Sequence, residues 1–337
     1  MMTWLFLVAA MIVVMVIVGG ITRLTESGLS ITQWKPISGT LPPLSEGDWA
    51  AEFERYKQIP EYSQVNRGMT LDGFKAIFFW EYAHRLFGRV IGLAFALPLL
   101  WFAVMRQIPR GYGMRLIAIL ALGGLQGAIG WWMVASGLSV RTDVSHVRLA
   151  VHLMTALFLL AGIVWTALDL RALPHATPAR LTLISGSALA LLFAQIMFGA
   201  FTAGLDAGYA FASWPLMGDA WFPGGAPMVD PLWRNMVDNA VVVQFVHRWL
   251  AFAVAAALIA LAWRGWQHGA RRAAAAIVAL VTSQIVLGIA TLLSGVWIWI
   301  AVAHQANAAL LLIATVWAAH GLGLRAPAGQ DQRAAAY

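Results

Sequence analysis

The sequence predicts an all-α integral membrane protein with eight transmembrane helices, arranged as two pseudo-symmetric four-helix bundles. Three observations predict this fold class: an apolar composition, eight apolar segments of membrane-spanning length, and an internal repeat. Of the 337 residues, 61% are hydrophobic and 11% charged. Soluble domains are about 45–50% apolar and about 25% charged. A chain this apolar is predicted to lie in a lipid bilayer.

About 20 apolar residues are needed to cross roughly 30 Å of hydrocarbon. Eight segments meet this length, at about 3–22, 76–104, 115–137, 147–168, 181–203, 240–263, 273–294 and 296–318. No basic region precedes the first segment, so we expect a retained helix rather than a signal peptide. An Arg-rich transit peptide is also missing, which favours a bacterial cytoplasmic (inner) membrane.

Charge predicts the orientation of the spans. Alternate short connections and the C-terminal tail carry ten arginines against only Asp169 and Asp331. By the positive-inside rule these segments are cytoplasmic, and both termini lie on that side. The net charge of +7 is explained in this way, and no nucleic acid is expected as a partner. The two long connections, 23–75 and 204–239, are expected to fold over the outer face as partial lids, with a short helix near Trp49–Tyr56.

The chain repeats itself. Two groups of residues match at constant offsets: Thr22, Glu26, Gly28 and Trp34 with Thr202, Asp206, Gly208 and Trp214, at 180; and Gln126, Gly130, Ser136 and Gly137 with Gln284, Gly288, Ser294 and Gly295, at 158. Four spans in each half give both halves one orientation, so the repeat axis should run along the membrane normal. We place the halves at 1–175 and 176–337.

Four histidines fall inside even-numbered predicted spans: His84, His152, His247 and His304. All lie roughly 8–12 Å below the outer span ends at 1.5 Å per residue. Two imidazoles facing each other across a bundle can ligate one haem iron. Each half therefore offers one bis-histidine site. The alternatives are hydrogen-bonded packing residues, or zinc, which prefers four close ligands that often include Cys or carboxylate.

The other histidines are predicted to lie outside such sites. His175, His268 and His320 fall in cytoplasmic connections or at span ends and are expected to be solvated. His146 lies in a short outer loop and is expected at the surface. The chain has no cysteine, which excludes disulfides and thiolate-held iron–sulfur clusters.

Charged residues accompany the first candidate ligands of each half. Arg85 and Arg248 directly follow His84 and His247, and arginine binds carboxylates such as haem propionates bidentately. The alternative is that Arg85 snorkels to lipid headgroups. Glu81, which corresponds to Gln244, could move protons or stabilise positive charge, or simply pair with Arg85 at i,i+4. This asymmetry predicts chemistry at the first site and electron transfer at the second.

At this point the residues resemble a known family. The stretch Gly19-Gly20-Ile-Thr-Arg-Leu-Thr-Glu-Ser-Gly-Leu-Ser, with Gln33-Trp34-Lys35-Pro36, resembles the first-helix signature of haem A synthase. Glu81-Tyr-Ala-His-Arg, the later histidines and the eight-span repeat resemble the same family. The resemblance covers about residues 10–320. The lack of cysteine is similar to its proteobacterial or mitochondrial-like subtype.

The resemblance implies an enzyme that oxidises a methyl group of haem O to a formyl group, giving haem A for terminal oxidases. It implies that His84 and His152 serve the substrate haem, with Glu81 as the functional glutamate. His247 and His304 would ligate a prosthetic haem b. Further expected partners are the lipid bilayer, haem O synthase, cytochrome oxidase assembly factors and a second copy of the chain.

Two other functions remain open from the residues. A b-type cytochrome that carries electrons in a quinol-linked chain would hold two equivalent, permanent haems. A transporter would have broken helices and ionisable groups near the midplane. The difference between Glu81 and Gln244 argues against the first, and the placement of the ionisable groups toward the outer leaflet argues against the second.

Overall fold

A computed structural model describes residues 1–173 and 177–324, and its long elements are all helices. Within these residues eight helices are long and apolar enough to cross a membrane, which confirms the predicted all-α membrane protein with eight spans. These are α1 (Met2–Leu24), α4 (Leu71–Val104), α5 (Gly113–Val134), α6 (His146–Ala172), α7 (Leu183–Gly204), α9 (Ala240–Gln267), α10 (Arg271–Leu293) and α11 (Ile298–Gly323). Short helices in the long connections are α2 (Glu46–Tyr56), α3 (Pro60–Gln64) and α8 (Asn235–Asp238).

Side-chain caps determine where several spans begin. The side chains of Thr70, Ser145, Thr182 and Asn239 accept hydrogen bonds from the first-turn amides of α4, α6, α7 and α9. These amides have no partner within their own helix, so a capping oxygen stabilises the start. Thr70 starts α4 five residues before the predicted boundary, because the helix extends beyond the apolar segment.

The two halves share one core. In the first half, α1 packs on α4 and α6, and α5 packs on α6; in the second, α7 packs on α9, and α10 packs on α9 and α11. The inner helices α1, α6, α7 and α11 also pack across the halves. Leu5, Leu160, Leu258 and Leu312 are all buried in one continuous apolar cluster. The exact pseudo-symmetry, and the boundary at 175/176 between undescribed residues, stay predictions.

The long connections 25–70 and 205–239 meet at one end of the bundle, here called the long-loop end. Arg23, in the last turn of α1, donates through Nη2 to Asp206 Oδ1 at 2.9 Å and to the Ala203 carbonyl at 3.0 Å, which ties the end of α1 to the end of α7 and the start of the second connection. The first connection packs on α4 and α5 through a separate apolar cluster, in which Tyr56 of α2 and Phe74 of α4 are fully buried. The predicted helix near Trp49–Tyr56 is present as α2.

The opposite end contains a buried ion network, which corrects two predictions. Asp169 lies within α6 rather than in a connection, and it is 2% exposed. Its Oδ1 is 2.9 Å from His320 Nε2, and its Oδ2 accepts from Arg115 Nη1 at 2.7 Å. His320 is therefore buried, not solvated, because α11 packs on α6 across the halves. His268 is exposed as expected, and His175 lies outside the described residues.

The prediction of a surface position for His146 is also wrong. His146 is the first residue of α6 and is 6% exposed. It stacks edge-on against Phe201 of α7, and its Nε2 is 3.2 Å from Asp238 Oδ1. A Cβ on Gly204 would lie 2.6 Å from His146 Cβ, so the close approach of α6 and α7 buries the histidine.

Candidate functional site

The four candidate ligands each face a glycine on a neighbouring helix. A Cβ at each glycine would lie closer to the ring than ordinary van der Waals contact: 3.3 Å at Gly19–His84, 2.9 Å at Gly130–His152, 3.0 Å at Gly199–His247 and 3.0 Å at Gly288–His304. Contacts below 3.4 Å would force the ring to move. The glycines therefore let one edge of each imidazole approach the adjacent helix closely.

The histidines of the first half form a pair. The ring centres of His84 and His152 lie 6.5 Å apart, with planes inclined at 59°. Two imidazoles that ligate one metal from opposite sides, with bonds of about 2 Å, have ring centres roughly 6 Å apart. The described residues contain no group of three or more His, Asp or Glu able to hold a metal ion. Paired imidazoles fit an axially ligated haem iron better than zinc.

Glutamine amides contact three of the four histidines. Gln126 Nε2 donates to the His152 carbonyl at 2.8 Å and lies 3.2 Å from its Nδ1. Gln195 repeats this at His247, with 2.9 and 3.1 Å. Gln284 Nε2 lies 3.3 Å from His304 Nδ1. The sequence reasoning matched Gln126 with Gln284 but missed Gln195, although a Gln-x-x-x-Gly pattern marks all three positions.

Glu81 is buried at the long-loop end of α4 and is 2% exposed. Its Oε2 accepts from Ser30 Oγ and from the Ile31 amide, each at 2.7 Å. Its Oε1 accepts from Arg85 Nη2 at 2.6 Å, so the predicted i,i+4 pair is present. These contacts hold the carboxyl group rigidly, one helical turn from His84.

Gln244 occupies the corresponding position in α9, but its hydrogen bond to the loop backbone runs in the opposite direction. Its Nε2 donates to the Phe211 carbonyl at 3.0 Å, whereas Ile31, which is 180 positions earlier, offers its amide to Glu81. The Gln244 Oε1 is buried without a partner. The two sites therefore differ in one ionisable group and in the loop backbone that faces it.

Arg85 and Arg248 hold the long connections in matching ways. Arg85 donates to the carbonyls of Gln33 and Ile31, at 3.1 and 2.8 Å. Arg248 donates to those of Ser213 and Phe211, at 2.9 and 2.7 Å. Each loop carbonyl in one half is 180 positions from its counterpart, as in the sequence repeat.

These bonds limit what else the arginines can bind. Arginine has five N–H donors, and Arg85 uses four on Glu81 and the first connection. Arg248 Nε is buried without a partner. Each guanidinium therefore keeps at least one donor free. The predicted propionate contact stays a proposal, and a headgroup contact is not needed to explain either residue.

A cavity of about 410 Å³ lies between the first connection and α4. Its lining includes Arg85, Arg89, Lys35, Arg55, Glu52 and Tyr82. Arg89 donates to the carbonyls of Pro36 and Lys35, at 2.9 Å each, and closes one side of it. The first connection thus covers the half that contains Glu81, and the cavity between them is lined by more basic than acidic side chains.

Glu61 of α3 is a second buried carboxyl group in the first connection. It is 4% exposed, and its Oε2 has no partner. Burial, together with the negative charges of Glu81, Asp143 and Glu26, raises the pKa of Glu61 from 4.5 to about 8. The hydroxyl of Tyr56 partly offsets this by hydrogen bonding.

The chain is similar to known proteins over nearly its whole length. The model of the family described as "Cytochrome oxidase assembly protein" matches residues 2–316. A protein named "Heme A synthase" from Sphingopyxis alaskensis is 57% identical over 325 residues, which cover 96% of this chain and 92% of the relative. The chain belongs to the haem A synthase family.

Two more haem A synthase relatives align over nearly the same length. The one from Rhizorhabdus wittichii is 58% identical and covers 95% of this chain and 93% of its own. The one from Rhodospirillum centenum is 50% identical and covers 94% and 87%. Membership in the haem A synthase family makes the chain a multi-pass membrane oxidoreductase that modifies haem. The transporter alternative also lacks support because the eight described spans are unbroken helices.

Proposed function

We propose that this chain oxidises a methyl substituent of haem O to a formyl group and so supplies haem A to terminal oxidases. The observation that carries the proposal is the pairing of His84 with His152, 6.5 Å apart, beside a buried carboxyl group. The second half repeats the histidines but has Gln244 in place of Glu81. The names of the relatives support the same reaction.

We assign the substrate haem O to the first half, 1–175, where His84 and His152 would hold it. A prosthetic haem b would be held in the second half, 176–337, by His247 and His304. A bound haem b supplies one-electron transfer. The free donors of Arg85 and Arg248 are the groups we assign to the propionates.

Glu81 is the residue that distinguishes the reacting half. Ser30, Ile31 and Arg85 hold its carboxyl group in one orientation. A preorganised acidic group can stabilise positive charge that develops nearby without reorganising itself, or it can relay a proton. Glu81 is 2% exposed, and its burial away from water strengthens either effect.

The activity is tested by expressing the chain with a source of haem O and analysing the extracted haems. We expect haem A from the wild type, and no haem A from Glu81→Gln with both haem sites still loaded. Gln244→Glu is the matched control and should still produce haem A. Absence of haem A from the wild type would reject the proposed reaction.

The assignment of haem b has its own test. His247→Ala should remove the tightly bound b-type spectrum, whereas His84→Ala should leave it. The alternative of a b-type electron carrier predicts two permanent haems and no formyl product. An unchanged spectrum in His247→Ala would exclude the assignment of haem b to the second half.

We further propose a bacterial inner membrane, cytoplasmic termini and haem sites toward the periplasmic side. The arginines of the short connections support this orientation. A reporter enzyme that works only in the periplasm should be active when it is fused within the connections 25–70 and 205–239. Haem O synthase, oxidase assembly factors and a second copy of the chain are the proposed partners, testable by crosslinking in the membrane.

A further inference from the structure

The surroundings of the four histidines are unequal. In the described part of the chain, three rings have a glutamine amide within hydrogen-bond distance, and His84 has none. The three glutamines lie four residues before the glycine that faces the ring. They are Gln126 before Gly130, Gln195 before Gly199, and Gln284 before Gly288.

The position that should serve His84 is occupied by Met15. Met15 lies four residues before Gly19, and both are 180 positions before Gln195 and Gly199. A Cβ on Gly88, one turn after His84, would lie 3.5 Å from Met15 Cε, so this side chain rests on α4 beside the ligand. A thioether cannot donate a hydrogen bond to the His84 carbonyl or to its ring.

The His84 ring is also turned differently. His152, His247 and His304 present Cε1 and then Nδ1 to their glycines. His84 presents the same ring edge after a half-turn about its Cβ–Cγ bond, with Nε2 nearest Gly19 and Cδ2 next. In the described part of the chain no glutamine amide selects between these two orientations at His84, whereas an amide beside Nδ1 does so for the other three rings.

The second half is braced more strongly than the first. The Oε1 atom of Gln284 accepts from Asn307 Nδ2 at 2.6 Å, and Asn307 Oδ1 accepts from Ser283 at 2.9 Å. This fixes the amide of Gln284 toward His304. The Oε1 atoms of Gln126 and Gln195 both lack a partner. The first half thus has one ring with an amide partner and the second half has two, and only the amide at His304 is held by a further side chain.

We propose that these amides determine how firmly each half retains its haem, and that Met15 makes His84 the ligand that releases it. The inference rests on the proposed function, in which one haem must leave as product while the other stays. Groups that orient a ligating histidine restrict its rotation and raise metal affinity, typically by 10- to 100-fold. Gln126, Gln195 and Gln284 are positioning residues in this scheme.

The test measures haem release from the purified, haem-loaded full chain to excess apomyoglobin. His84→Ala and His247→Ala identify which kinetic phase belongs to which half. Met15→Gln should slow release from the first half, and Gln195→Met should speed release from the second, each by roughly 10- to 100-fold. Met11→Gln places the same amide one turn away on α1 and should change neither phase.

A spectroscopic readout separates orientation from general stability. Electron paramagnetic resonance of the oxidised protein should show altered g values for the haem of the substituted half only. If Met15→Gln does not accumulate, Gln126→Met replaces it, with faster release expected from the first half. Release rates and g values that stay at wild-type values in Met15→Gln and Gln195→Met would overturn the inference.

The outcome is distinguishable from failure of the proposed reaction. Haem A production with unchanged release rates would reject the role of the amides and keep the reaction. Altered release rates without any haem A would reject the reaction and keep the amides as determinants of haem retention.

Discussion

Replacing Glu61 with glutamine should stabilise the first connection, and the gain should grow with pH. The carboxyl group is buried, one oxygen has no partner, and its pKa lies near 8. Glutamine keeps the size of the side chain and removes the charge. The variant therefore isolates the cost of ionising this group inside the folded loop.

The sign follows from the raised pKa. Below about pH 4.5 the group is protonated in both folded and unfolded chains, and its charge costs nothing. Between 4.5 and about 8 only the unfolded chain ionises readily, so folding stability falls as pH rises. Above 8 the loss is complete. At about 1.4 kcal/mol per pKa unit, the full loss is on the order of 5 kcal/mol.

Limited proteolysis of the first connection measures this effect, because cleavage tracks the population of the locally opened loop. The cleavage rate of wild type relative to Glu61→Gln at the same pH cancels the pH dependence of the protease. We expect this ratio to rise between about pH 5 and pH 8 and then to level off. Glu46→Gln alters an exposed glutamate of the same connection and should give a flat ratio. A flat ratio for Glu61→Gln would refute the reasoning.

Three further predictions concern the haem sites and the core. Gly199→Ala should lower the haem b content, because its Cβ would lie 3.0 Å from His247 Cε1. Pyridine haemochrome spectra measure this content, and the control Gly186→Ala on the same helix should leave it unchanged. Asp169→Asn should lower the free energy of unfolding by about 1–3 kcal/mol, because a buried side chain loses its charge-assisted hydrogen bonds to Arg115 and His320; an unchanged unfolding temperature would contradict it. Arg248→Met should release the second connection and raise its proteolysis, while the first connection cleaves at the wild-type rate.

Much of the fold follows from local sequence properties. A hydrocarbon core of fixed thickness requires apolar runs of a fixed length, so the eight spans could be located from hydropathy to within a few residues. Helix boundaries shifted where a cap outside the apolar run starts the helix, as Thr70 does for α4. The spacing alone also predicts that His84 and Glu81 lie on the same face of one helix.

Other positions depended on contacts between distant segments. His320 and Asp169 look like solvated residues near span ends, yet they are 151 positions apart and form a buried pair. His146 is buried because α7 approaches α6 at Gly204. The mean hydropathy of a segment depends only on the residues of that segment. It therefore cannot predict which other helix packs against it.

By itself, the sequence determined the membrane class, the eight spans, the repeated halves and the four histidines that the family resemblance assigns to haem. Only the tertiary structure decided how those histidines are held: a glycine opposite each ring, an amide beside three of them, and Met15 beside His84. It also decided that Arg85 and Arg248 bind loop carbonyls. Hydrogen bonds between side chains far apart in sequence depend on the mutual placement of whole helices, and packing across the bundle determines that placement.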